Sequence, residues 1–162
     1  MVQLFARRVL TLLVATAAFV AVNPARADES SSLVLRGYVP ISCNIDVAAT
    51  QVASNIPLGG AQSDLAVARV TETCNNRNGY TVSVASESNG ALTGRAGRIA
   101  YELKYGDAVA PLERSAGQPV VVAQSAVRTS ERGVSRDVRI SHAGAQAGGA
   151  YGDTLTFTIA AK

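Results

Sequence analysis

Ile99-Ala-Tyr-Glu-Leu-Lys-Tyr105 sets an apolar or aromatic side chain at every odd position and a small or charged one at every even position. A period of two is that of a β-strand with one face in a core and the other in water. The same period returns along the chain. Tyr80, Val82 and Val84 alternate with Thr81 and Ser83, and Val134, Val138 and Ile140 with Ser135, Asp137 and Arg139. Leu155, Phe157 and Ile159 alternate with Thr154, Thr156 and Thr158, and Leu33, Leu35 and Val39 share a parity with Gly37. Shorter strands are expected at 43–48, 55–58, 65–73 and 119–123. Between these runs stand Asn78-Gly79, Asn89-Gly90, Gly106-Asp107 and Arg132-Gly133, pairs that favour tight turns. Past the N-terminal leader, no segment keeps a 3.6-residue spacing, and the alanine-rich stretch 143–150 is broken by glycine and reads as loop. Many short strands with frequent turns predict an all-β antiparallel sandwich. No helix longer than about two turns is expected outside the leader. The alternation assigns Val82, Val84, Tyr101, Leu103, Val138, Leu155, Phe157 and Ile159 to the core.

The leader has the three-part plan of a secretory signal peptide. Arg7 and Arg8 precede an uncharged run over 9–22, and Ala25-Arg26-Ala27 gives the small-x-small cleavage pattern. The 14 residues of that run fall short of the ~20 that span a bilayer as a helix. Cleavage is expected after Ala27, leaving 28–162 with no membrane span. The leader takes three of the 15 basic residues with it, leaving 12 against 12 acidic ones. A formally neutral chain is no nucleic-acid binder on electrostatic grounds. In an exported protein the only two cysteines, Cys43 and Cys74, most simply form one disulfide.

Chemistry is hard to place on these residues. His142 is the only histidine and sits at the end of a predicted strand, where a surface position is expected. The carboxylates fall one per element, with no G-x-S-x-G, S-x-x-K or H-E-x-x-H pattern and no calcium loop. The glycine-rich stretch 144–152 leads into a strand and lacks the helix and lysine of a phosphate loop. Neither catalytic residues, nor a metal site, nor a cofactor is expected; the chain does not read as an enzyme.

The two ends carry more information. Leu33, Leu35, Gly37 and Val39 form an alternating segment just ahead of the first cysteine, and Leu155, Phe157 and Ile159 form another at the C-terminal end. Either is an ordinary strand of a complete sandwich, or one of them pairs with another protein across an open sheet edge.

The chain resembles the spore coat U domain family, which includes pilin subunits of archaic chaperone–usher fimbriae. The resemblance rests on Cys43, on Thr71-Glu-Thr-Cys74-Asn-Asn, on Asn78-Gly-Tyr-Thr-Val-Ser-Val84, on Ile99–Tyr105 and on Ala150-Tyr-Gly-Asp-Thr-Leu-Thr-Phe-Thr-Ile159, and covers residues 33 to 160. It implies an immunoglobulin-like sandwich that lacks its last strand. A periplasmic chaperone lends that strand, and at an outer-membrane usher the N-terminal extension of the next subunit replaces it. Carried over by position, 28–39 is the donor extension, with Leu33, Leu35 and Val39 as inserting side chains and Gly37 at a tight spot; 40–162 is the domain. Leu155, Phe157 and Ile159 become the strand that meets the chaperone or donor. The product is a homo- or hetero-polymer of pilin-like subunits at the cell surface, reached through the periplasm. The alternative is a self-contained, adhesin-like sandwich that is secreted or periplasmic and never polymerises.

Overall fold

A computed structural model describes residues 30–130, 132–145 and 147–162. The predicted signal segment 1–27 lies outside the described residues. Nine strands account for the domain: β1 (Cys43–Ala49), β2 (Gln62–Cys74), β3 (Tyr80–Ser86), β4 (Ala91–Gly94), β5 (Gly97–Tyr105), β6 (Ala108–Ala110), β7 (Val120–Ser125), β8 (Val134–His142) and β9 (Leu155–Ala161). The helical content among the described residues is one turn, α1 (Gln51–Ser54), and a 3-10 turn at Leu112–Arg114. One sheet runs β1-β2-β8-β5-β4, with β6 also paired to β5, and the other runs β7-β3-β9. All pairings are antiparallel. This is the predicted all-β antiparallel sandwich.

The alternation does what the sequence promised. In β3 the odd–even rule is complete, with Tyr80, Val82 and Val84 buried. In the other sheet, Leu103 and Tyr105 of β5 stand opposite Ile140 and Val138 of the neighbouring β8, and Tyr101 opposite His142. Two turns show why their residues stand there. At Asn89-Gly90 both residues have positive φ, 52° and 69°, the twist a tight turn before β4 demands. At Gly79 φ is 84°, and a Cβ there would collide with the backbone carbonyl of Ser125, so only glycine joins β2 to β3 this closely.

Some expectations need correction. Residues 30–42 carry no strand, although 33–39 alternate. Residues 55–58 are not a strand either: Pro57 has no N–H to give a ladder, and Ile56 and Leu58 instead pack half-buried against the core. The short strands β4 and β6 were not anticipated, since four and three residues are too few to show a period. His142 is buried rather than on the surface. Its Nδ1 accepts the Gly144 N–H, and the ring lies on the inward parity of β8, shared with Val138 and Ile140.

Cys43 and Cys74 are disulfide-bonded, as predicted. They are direct partners in the β1–β2 ladder, with Cα atoms 4.0 Å apart. Closing a loop of 31 residues stabilises the fold by roughly 3–4 kcal/mol through the unfolded chain. The bond also holds β1, which hydrogen-bonds to one neighbour only, against the sheet.

Candidate functional site: an open groove between the two sheets

β1 is the outer strand of one sheet and β9 the outer strand of the other, and they face each other across the side of the sandwich without pairing. Between them lies a groove of about 180 Å³. Val47 of β1 and Leu155 and Phe157 of β9 form its walls, and Val67, Leu92 and Val138 are among the side chains of its floor. A completed sandwich would bury such residues. Here Val47 is 45% exposed, and Leu155, Phe157 and Ile159 are only half-buried. β9 hydrogen-bonds to β3 along one side, and among the described residues no strand pairs with its other side. The result is an apolar slot flanked by unpaired backbone, the arrangement that accepts an added strand.

Two carboxylates, Asp153 half-buried and Glu72 buried, fix the walls. Asp153, just ahead of β9, accepts hydrogen bonds from the Ser86 hydroxyl (2.6 Å), the Tyr101 hydroxyl (2.5 Å) and the backbone N–H groups of Ser88 (2.9 Å) and Thr154 (2.8 Å). It thereby ties the start of β9 to the end of β3 and to β5 in the facing sheet. Glu72, fully buried in β2, accepts from the Tyr80 hydroxyl (2.7 Å), the Tyr105 hydroxyl (2.5 Å) and Arg136 Nε (2.9 Å). Tyr80 belongs to one sheet and the other three to its partner, so this cluster bolts the layers together. A buried carboxylate is tolerable only when so satisfied, and removing one member of such a set costs about 3–5 kcal/mol. Burial first, and then the hydrogen bond to Glu72 and its charge, raises the Tyr80 hydroxyl from 10.0 to about 12. Tyr105 moves the same way for the same reasons, and Tyr101 through burial and Asp153.

The groove brings Leu155 and Phe157 together, with Ile159 on the same face of β9; the alternation had assigned all three to the core, and they are only half-buried. Leu33, Leu35 and Val39 are 80–83% exposed, and with Val34, Tyr38 and Ile41 they make a run of unburied apolar side chains. The floor and the carboxylate clusters escaped the sequence reading. One signal for them was present: Tyr80, Tyr101 and Tyr105 all occupy inward positions, and a buried tyrosine hydroxyl needs an acceptor. Glu72 shares its parity with Val70 and Cys74 and was the candidate acceptor.

One carboxylate lines the slot, that of Asp153, and its four hydrogen bonds occupy both oxygens. Among the described residues, no three His, Cys, Asp or Glu side chains cluster to hold a metal ion, and no helix is long and apolar enough to cross a membrane. In comparisons with known proteins, no family model matches the chain and no curated protein matches it.

Proposed function

We propose that this protein is a structural subunit of a surface fimbria or coat, of the spore coat U type, assembled by donor-strand exchange. The observation that carries the reading is β9: an alternating apolar strand, half-buried, on the rim of a groove with nothing paired to its outer edge. The exposed run 33–41 supplies the complementary part, a strand-like pattern without a strand. An insertion strand must present every second side chain to one face, as Leu33, Leu35 and Val39 do. Each such side chain contributes ~1.5–3 kcal/mol when buried, and the free edge of β9 supplies main-chain hydrogen bonds. On this reading the subunit is exported, a periplasmic chaperone fills the groove first, and at an outer-membrane usher the extension of the next subunit takes its place. The chain then acts through shape and contact, with no reaction to catalyse.

Leu35→Asp tests the proposal. It puts a charge into a groove that excludes water, at a cost of several kcal/mol. Native mass spectrometry of exported wild-type protein is expected to show a ladder of oligomers. The variant is expected to stop at single subunits whose disulfide is intact. Oligomers unchanged by the substitution would overturn strand donation. A variant that no longer folds at all would place 33–39 in its own domain and favour the self-contained sandwich.

A further inference from the structure

The residues just before β1 are held in an unusual way. Asn75, the residue after Cys74, makes three hydrogen bonds to the incoming chain. Its backbone N–H donates to the Ser42 carbonyl (3.1 Å), its Oδ1 accepts from the Ser42 N–H (2.8 Å), and its Nδ2 donates to the Pro40 carbonyl (2.9 Å). The side-chain amide thus imitates the next peptide of a neighbouring strand and prolongs the β1–β2 ladder backwards past Cys43 to Pro40. The disulfide closes the same end of the ladder.

This end of the sandwich is also one end of the open side between β1 and β9, whose groove is lined farther along by Val47 and Ala49 of β1 and by Leu155 and Phe157 of β9. Cys43 faces Cys74, a short turn leads to Tyr80, and Tyr80 pairs with Ala161 at the end of β9. Asn76 Nδ2 donates to the Lys162 carbonyl there (2.7 Å). β1 therefore starts where β9 finishes, and an apolar segment attached to β1 begins at one end of the open side that holds the groove. What keeps it out decides whether the groove is filled within one molecule or between two.

Geometry leaves one route for self-insertion. A segment antiparallel to β9 would end at the far end of the groove, about 20 Å away for seven residues of strand. Residues 40–42 must then return to Cys43, and three residues reach at most ~10 Å. That route is closed. A segment parallel to β9 would end at the near end and needs only a tight reversal over 40–42. Those are the residues that Asn75 holds in line with β1, where no reversal is possible.

We infer that Asn75 is a positioning residue that bars the N-terminal segment from its own groove and reserves that groove for a second copy of this chain. The inference rests on the donor-strand reading. Its consequence is that residues 40–42 cannot make the reversal that self-insertion needs.

The experiment compares full-length exported wild type with Asn75→Ala by native mass spectrometry, with brief trypsin digestion of the single-subunit fraction. Arg36 lies exposed in the segment and reports its state. Wild-type single subunits are expected to be cut at Arg36. Loss of two side-chain hydrogen bonds shifts the balance between self-filled and partner-filled grooves by about tenfold. Asn75→Ala is therefore expected to accumulate closed monomers resistant at Arg36. Asn75→Asp keeps an acceptor for Ser42 and loses the donor to Pro40, so it is expected to fall between; it decides the matter if the alanine variant does not fold. Monomers still cut at Arg36 in an unchanged proportion would overturn the role of Asn75. If Leu35→Asp left the oligomers intact, the donor-strand reading itself would fall instead.

Discussion

β3 and β9 lie side by side in one sheet and carry the same signature, yet they end in different surroundings. Tyr80, Val82 and Val84 of β3 are at most 2% exposed, whereas Leu155, Phe157 and Ile159 of β9 stay half-open. Both alternate with hydroxyl-bearing residues, both point their apolar face at the other sheet, and they share seven register pairs. The difference is one neighbour. β3 has β7 on its far side and β9 has nothing. Alternation therefore reports which face a strand buries and is silent on how many strands flank it. An edge strand with the apolar load of a central strand is a sandwich with a place kept open.

The sharpest way to break this comparison uses one chemistry in both settings. Leu103 in β5 is fully buried beneath paired strands, and Leu155 stands on the groove wall. In chemical denaturation of the uncomplexed chain, Leu103→Ala is expected to cost about 3–5 kcal/mol and Leu155→Ala about 1–2 kcal/mol. Equal costs would mean that the groove is already closed in solution. A gap that narrows when oligomers are measured would show the groove filling on assembly.

A second, smaller effect separates the bolted layers from the open side. The Tyr80 hydroxyl, raised to about 12 from 10.0, keeps its proton in the folded chain where the unfolded chain releases it. Its contribution is complete below pH 10 and is lost as pH rises through 12, and the upward shifts at Tyr101 and Tyr105 act in the same direction. Denaturation midpoints are expected to hold steady to pH 10 and then fall. A midpoint flat to pH 12 would show that Glu72 and its tyrosines do not hold the sheets together.

Much of this was legible beforehand, and the reasons for the rest are physical. Period-two runs gave β3, β5, β8 and β9, because each buries one face and the pattern records it, while β1, β2 and β7 were expected only as shorter strands at 43–48, 65–73 and 119–123. The disulfide was legible because a chain with two cysteines has one possible pairing. β4 and β6 were too short to show a period. The segment 33–39 has the pattern of a strand and no strand, since a pattern fixes a face but cannot supply a partner. His142 was misplaced because a lone polar residue at a strand end says nothing of what folds over it. The groove itself is built from six strands, and only their assembly brings Val47 opposite Phe157.

The smallest expected effect tests the other half of the alternation rule, the outer face. Arg69 and Glu72 belong to one strand and project to opposite sides. Glu72 is sealed between the sheets, and Arg69 reaches Asp137 across the outside of β2 and β8 at 2.9 Å, with its side chain 65% exposed. Asp137 also meets Arg139 at 3.2 Å, so it keeps a cation when Arg69 is removed. Its carboxyl is held below the usual 3.8 by the bond to Arg69 first and to Arg139 second. The folded chain thus favours the charged form, so the pair helps at neutral pH and its help disappears as pH falls below the ordinary carboxylate range. Water and salt screen such a pair almost completely. Arg69→Ala is expected to leave the urea midpoint at pH 7 within the scatter of repeated measurements, and added salt should not change that result. A clear loss in the free chain would mean that the outer face is packed against something, and the in-and-out reading of β2 would fail. A loss seen only in oligomers would instead locate a lateral contact between subunits on the face of β2 and β8, away from the groove.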